Sequence, residues 1–183
     1  MMHLLHSITL FLALVRPAYC AESLTTTFTG PNDDLYSDGD KFSILTGATP
    51  VTIERFDIHM AAITVQIFVY CKWGYTGWDY ESGYWMVDEW TVTGLGQGVA
   101  TPLPAFSSPI QMPANSNLGC YVTLNDKRNN NMYHSDGSGT ANAVFASDGN
   151  IEITEGLSQW HFMSQWQGDT RWNGEYPPLH KII

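Results

Sequence analysis

From residue 24 onward the chain is a succession of short apolar or β-branched segments bounded by Gly, Pro, Asp, Asn or Ser. Such segments, with almost no helical periodicity, are typical of β-strands joined by turns. A chain of 183 residues with 44% hydrophobic content can build one sizeable core but not two. The sequence therefore predicts one all-β domain, an antiparallel β-sandwich of jelly-roll type with about eight to ten short strands and long loops.

Two segments carry the clearest strand patterns. In residues 51–60 the apolar phase slips by one residue, which predicts a β-bulge near Glu54. Residues 63–71 are apolar at nearly every position, so this segment is expected to be buried on both faces. Asp-Gly tolerates the positive φ of tight hairpins. Turns are therefore expected at the three Ser-Asp-Gly sequences, residues 37–39, 135–137 and 147–149.

The first 21 residues differ from the rest. His3 and His6 precede an apolar run over residues 8–15, and the small residues Ala18 and Cys20 follow it at the spacing of a cleavage site before Ala21, which is the layout of a secretory signal peptide. The run is too short to cross a bilayer core, which needs roughly 20 apolar residues. We therefore expect residues 1–21 to be a signal peptide, residues 22–183 to be the β-sandwich domain, and the mature protein to be secreted without a membrane span.

Loss of the leader would leave Cys71 and Cys120 as the only cysteines. In an oxidising compartment such a pair favours a disulfide. It would close a loop of about 50 residues and stabilise the fold by about 4 kcal/mol in the chain-entropy model. The alternative is a pair of buried free thiols.

Charge narrows the range of partners. The formal net charge is −10 at pH 7, which repels nucleic acid and anionic membranes. Four carboxylates could supply oxygen ligands to Ca²⁺, namely Asp33, Asp34, Asp38 and Asp40. They lack the alternating spacing of a calcium loop, so solvated turns explain them better. No other cofactor is predicted.

The densest unusual feature is the aromatic segment of residues 73–85. Pyranose rings stack their apolar C–H faces on aromatic side chains, while polar groups at the ring edge fix the sugar hydroxyls. The candidate ligand-binding residues of this segment are Trp73, Tyr75, Trp78, Asp79, Tyr80, Glu81, Tyr84 and Trp85. The alternative is a loop whose rings fill the end of the core. Near the C-terminus, Arg171 and Trp172 are further candidates, although Arg171 could instead pair with an acid at the sandwich edge.

Local signatures of catalysis are missing. The sequence contains no His-Glu-x-x-His, Gly-x-Ser-x-Gly or Cys-x-x-Cys motif. No catalytic residue is therefore assigned. A pair of carboxylates for glycoside hydrolysis could still be assembled in three dimensions, so a small carbohydrate-active hydrolase or lyase stays open as an alternative.

Several sequence landmarks follow one another in order. They include Thr-Thr-Phe at 26–28, Val-Tyr-Cys-Lys-Trp-Gly-Tyr at 69–75, Thr-Pro-Leu at 101–103 and Arg-Trp-Asn-Gly at 171–174. Their order resembles a recurrent extracellular β-sandwich domain of unassigned activity, found in bacterial surface proteins and in secreted proteins of diatoms and related algae. The resemblance implies a compact module and no catalytic residue. The chain departs from the pattern in its two cysteines, in a longer loop after Gly77 and in Pro177-Pro178.

These patterns lead to one functional expectation and two alternatives. The expected function is a non-enzymatic extracellular binding or adhesion module for a glycan or glycoprotein, with residues 73–85 as its surface. The alternatives are the small hydrolase or lyase and an acidic structural protein of a matrix or cell wall. The oligomeric state is not predicted.

Overall fold

The computed structural model describes residue 24 and residues 35–76, 83–125, 131–134, 140 and 142–159. These residues form twelve strands and no helix. The strands are β1 (Leu35–Ser37), β2 (Gly39–Thr46), β3 (Val51–Ile53), β4 (Asp57–His59), β5 (Thr64–Trp73), β6 (Trp85–Thr93), β7 (Ala100–Pro102), β8 (Ile110–Met112), β9 (Asn117–Leu124), β10 (Met132–His134), β11 (Val144–Ser147) and β12 (Ile151–Gln159). The described part of the chain is therefore all-β, with twelve short strands where eight to ten were expected for the domain.

The strands pair antiparallel in one large sheet and three small ones. Six strands lie in the order β11-β12-β2-β9-β5-β6, and the others form the pairs β1-β10, β3-β8 and β4-β7. Phe42 of β2 contacts Phe56, between β3 and β4, with ring centroids 5.5 Å apart. Phe56 in turn contacts Phe106, between β7 and β8, at 5.2 Å. This chain of rings joins the large sheet to the small pairs in a sandwich-like arrangement.

β5 shows how the large sheet is divided between its two faces. Val65, Ile67, Val69 and Cys71 are buried, while the residues between them are half-buried. This period of two is that of a strand with one face on the core. The expectation that residues 63–71 are buried on both faces is therefore wrong. We call the second face of the large sheet, which lies away from the core, the outer face.

The phase slip in residues 51–60 marks a change of partner strand. β3 pairs with β8, and β4 pairs with β7. Between them Phe56 is 1% exposed, so its ring also points into the core, whereas Glu54 and Arg55 are half-buried. The bulge expected near Glu54 is wrong because two separate strands, each with its own partner, present their apolar side chains to a shared core.

The Ser-Asp-Gly sequences do not all form hairpins. Residues 147–149 connect the antiparallel neighbours β11 and β12, and Gly149 has a φ of 90°, so that turn prediction is confirmed. At residues 37–39 the hairpin prediction is wrong, because β1 pairs with β10 and β2 pairs with β9 and β12. The glycine there is needed for another reason, since a Cβ would lie 2.7 Å from atoms of β9. Residues 135–137 and the expected signal peptide, residues 1–21, lie outside the described residues.

Candidate functional site

A disulfide ties together the two central strands near one end of the large sheet. Cys71 of β5 and Cys120 of β9 are opposite each other in register, with Cα atoms 4.2 Å apart. Both are 0% exposed, so the bond lies on the core face. The pair is the one favoured by the sequence, rather than two free thiols. Beyond it β5 ends at Trp73 and β9 begins at Asn117, so the disulfide fixes the separation of these strand ends.

These strand ends form a cleft. Its volume is about 490 Å³, and its walls come from the end of β2, the end of β5 and the turn that precedes β9. The lining residues are Leu45, Thr46, Trp73, Gly74, Tyr75, Asn115, Ser116 and Asn117. We call this site the aromatic cleft.

Three of the candidate aromatic residues lie at this end of the sheet. Trp73 is 53% exposed and Tyr75 is 45% exposed, and both line the cleft. Trp85, the residue opposite Cys71 on β6, is 37% exposed, and its ring centroid lies 6.0 Å from that of Trp73. The alternative in which the rings of residues 73–85 fill the core does not hold for these three. Their exposed surfaces are open to a ligand.

Gly74 lets the chain turn between the two aromatic residues of the cleft. Its φ is 95°, a value that side chains disfavour and glycine adopts readily. Its N–H donates to the carbonyl oxygen of Asn117 at 3.1 Å, which ties the turn to the start of β9. Trp73 and Tyr75 are therefore held on either side of a fixed backbone turn.

Thr76 anchors the far end of the same turn. Its N–H donates to the hydroxyl of Ser43 on β2 at 3.0 Å, and its buried side chain lies 3.3 Å from the same hydroxyl. To reach Ser43 the chain passes close over Gly119 of β9, where a Cβ would lie 2.8 Å from the backbone nitrogen of Thr76. Glycine is therefore required at position 119 for the chain to cross β9 at this distance.

The opposite wall of the cleft is polar. Asn115 has a φ of 53° and donates its N–H to the carbonyl oxygen of Gly47 at 2.8 Å. Ser116 donates its hydroxyl to the carbonyl oxygen of Pro113 at 2.6 Å, which stiffens the turn. Within the described part of the chain, the side-chain amides of Asn115 and Asn117 make no hydrogen bond. Each can offer two donors and one acceptor to a ligand. We call this side of the cleft, formed by Asn115, Ser116 and Asn117, the amide wall.

Tyr84 does not lie with the other aromatic residues of its segment. Neighbouring residues of a strand point to opposite faces, so Lys72 points away from Trp73 to the outer face. The Nζ of Lys72 is 5.0 Å from the centroid of the Tyr84 ring, and the Nζ of Lys41 is 5.8 Å from it. Burial raises the pKa of the half-buried Tyr84 phenol above its usual range. Tyr84 therefore packs under two lysines on the outer face.

Asp38 and Asp40 are buried rather than solvated. Asp38 is 0% exposed and Asp40 is 3% exposed. Asp40 accepts a hydrogen bond from the Ser37 hydroxyl at 3.2 Å and lies 3.9 Å from Nδ1 of His134. Burial raises the pKa of Asp40 to about 8 and lowers the pKa of His134 to about 4. Between these values both groups are neutral, so we describe the contact as a neutral pair rather than a salt bridge.

The solvated turn expected for Asp38 and Asp40 is therefore wrong, because both carboxylates are buried. In the described ranges no group of three or more His, Cys, Asp or Glu residues is placed to hold a metal ion. The other candidates fall outside those ranges: Asp33, Asp34, Trp78, Asp79, Tyr80, Glu81, Arg171 and Trp172.

Sequence reasoning missed the amide wall. Asn115 and Asn117 lie about 40 residues after Trp73, and only the pairing of β5 with β9 brings them to the same cleft.

No helix among the described residues has the length and apolar character of a membrane span. The chain matches no protein-family model and none of the curated proteins with which it was compared.

Proposed function

We propose that the chain is a secreted, non-enzymatic binding or adhesion module that holds a glycan in the aromatic cleft. One observation carries the proposal. Two half-exposed rings, Trp73 and Tyr75, line the aromatic cleft together with the amides of Asn115 and Asn117, which make no hydrogen bond among the described residues. A pyranose would stack on the rings and exchange hydrogen bonds with the amides.

Secretion is supported by two independent features. Residues 1–21 have the layout of a signal peptide. The disulfide between Cys71 and Cys120 suits an oxidising compartment. The resemblance to a recurrent extracellular β-sandwich domain points the same way, and the all-β antiparallel architecture agrees with it.

A proline-rich peptide is the main competitor for such a site, because extended proline helices dock in aromatic-lined grooves. The amide wall favours a sugar. Asn115 and Asn117 offer donors and acceptors side by side, which suits hydroxyls that both donate and accept, whereas a proline-rich backbone offers mainly carbonyl acceptors. We therefore take the glycan as the ligand and the peptide as an outcome of the test.

A hydrolase or lyase would need catalytic groups at the bound sugar. Glycoside hydrolysis uses two carboxyl groups flanking the scissile bond. None of the residues described around the cleft is Asp or Glu. The geometry therefore favours binding over cleavage. The acidic matrix alternative rests on the net charge of −10 alone.

The test is a glycan array followed by affinity measurements on matched variants. Trp73→Ala should weaken binding of the retained glycan by about fivefold, since stacking on one ring is worth on the order of 1 kcal/mol. Leu95→Ala is the control, because Leu95 is 54% exposed, like Trp73, but does not line the cleft. It should bind as the unaltered chain does. Retention of no glycan, or capture of a proline-rich peptide in the cleft instead, would contradict the proposal.

A further inference from the structure

We infer that the aromatic cleft selects neutral glycans and rejects anionic ones such as uronates and sulfated sugars. The inference rests on the proposed glycan-binding function and adds the class of ligand. Its basis is the charge of the site. The described lining consists of aliphatic, aromatic, hydroxyl and amide groups together with a glycine, and none of these groups is charged at neutral pH.

The basic residues near the cleft in sequence point away from it. Lys72 precedes Trp73 directly, but it lies on the outer face with its Nζ 5.0 Å from the Tyr84 ring. Lys41 of β2 lies on the same outer face, 4% exposed, with its Nζ 5.3 Å from the Tyr121 ring. Both ammonium groups are thus used in contacts with tyrosine rings on the other side of the sheet.

An anionic sugar would gain nothing in the cleft to offset what it loses. A carboxylate or sulfate that leaves water needs a cation or several strong donors, and amides alone replace its hydration poorly. The chain adds a second penalty at longer range, because its net charge of −10 repels anions. Neither penalty applies to a neutral pyranose. Its hydroxyls can hydrogen-bond to the amides of Asn115 and Asn117, and its C–H faces can stack on the rings.

The experiment compares matched pairs of polysaccharides by affinity electrophoresis at low and high salt. The pairs are dextran with dextran sulfate, methyl-esterified polygalacturonan with polygalacturonate, and the neutral glycan retained on the array with its own derivative oxidised to the uronate. For every pair that is bound at all, the anionic member should bind at least about tenfold more weakly at low ionic strength, and added salt should narrow the difference. Binding of the neutral member should not respond to salt.

A variant reverses the expected preference. In Asn117→Lys the backbone oxygen that accepts from Gly74 is retained while an ammonium enters the cleft. This variant should gain affinity for the anionic member of a pair and lose affinity for the neutral member. If the variant does not fold, the comparison of neutral and anionic polysaccharides on the unaltered chain still tests the selectivity.

The outcomes separate the two proposals. Equal or tighter binding of anionic members by the unaltered chain overturns the neutral selectivity and leaves glycan binding in place. Retention of no glycan of either kind overturns both.

Discussion

Cys71 lies two residues before Trp73 on the same face of β5, so the disulfide to Cys120 holds the strand end that presents the Trp73 ring. Because Cys120 lies three residues after Asn117, the same bond also holds the amide wall. The covalent link thus connects the stability of the sandwich to the geometry of the aromatic cleft.

Reduction of this disulfide should lower the free energy of unfolding. The two cysteines are 49 residues apart, and the chain-entropy model gives a loss of about 4 kcal/mol for a loop of this size. Urea denaturation of the protein with and without a reductant measures the change in the free energy of unfolding. The double variant Cys71→Ala/Cys120→Ala should match the reduced protein and show no response to reductant. An unchanged urea midpoint after complete reduction would contradict the prediction.

Gly119→Ala should disturb the turn that carries Tyr75. The added Cβ would lie 2.8 Å from the nitrogen of Thr76 and 3.0 Å from the carbonyl oxygen of Gly74, so backbone must move. We expect a loss of about 1 to 3 kcal/mol in stability and weaker ligand binding. Gly47→Ala is the matched control, because its Cβ would meet no atom closer than 3.5 Å. Equal stability of the two variants would show that the close crossing at position 119 is not needed.

The architecture could largely be predicted from the sequence. Short apolar or β-branched segments separated by turn residues are local signals, and they are sufficient for an all-β antiparallel fold. The period-two burial of β5 was not predictable, because its half-buried positions include Phe68 and Tyr70 and the sequence shows no clear alternation there. The change of partner at residue 54 was not predictable in this way, because it depends on which distant strands, β7 and β8, supply the partners. A single sequence shows the slip in phase but not its cause.

The candidate site was predicted only in part. Trp73, Tyr75 and Trp85 were found because aromatic residues clustered along the chain, whereas Asn115 and Asn117 carry no local pattern that separates them from ordinary turn residues. The burial of Asp40 was missed for a related reason. Carboxylates are mostly exposed, but β2 lies between β12 and β9 in the large sheet and is buried at nearly every position, Asp40 included.

Phe56→Ala tests the packing of the two layers. Phe56 is 1% exposed and contacts Phe42 of the large sheet and Phe106 at 5.5 and 5.2 Å between ring centroids. Its truncation should cost about 3 to 5 kcal/mol. Phe68→Ala, a change of the same size at a half-buried position on the outer face, should cost clearly less. Equal losses in chemical denaturation would contradict the assignment of core and outer faces.

The neutral pair of Asp40 and His134 predicts how stability depends on pH. Burial raises the pKa of Asp40 from 3.8 to about 8. The contribution of Asp40 to the free energy of unfolding is therefore full below pH 3.8 and is lost as pH rises through 8. Burial lowers the pKa of His134 from 6.5 to about 4, so its contribution is full above pH 6.5 and is lost as pH falls through 4. The two trends oppose each other between pH 4 and 6.5, and above pH 6.5 only Asp40 still changes.

The free energy of unfolding should therefore fall by about 2 kcal/mol between pH 6.5 and roughly 8.5. The slope is about 1.36 kcal/mol for each pH unit over which Asp40 is protonated in the folded state and ionised in the unfolded state. Denaturant unfolding across this range measures the slope. Asp40→Asn keeps an acceptor for the Ser37 hydroxyl and should remove most of the slope. A slope that survives this substitution would assign the pH dependence to another group.

The most direct measurement of ligand binding in the aromatic cleft is a two-dimensional NMR titration of the ¹⁵N-labelled chain. The ligands are neutral oligosaccharides cut from the polysaccharide that the array retains. The resonances of the Trp73 indole N–H and of the side-chain amides of Asn115 and Asn117 should shift first and saturate together. Shifts confined to the outer face around Tyr84, or no shifts with any of these oligosaccharides, would contradict ligand binding in the cleft.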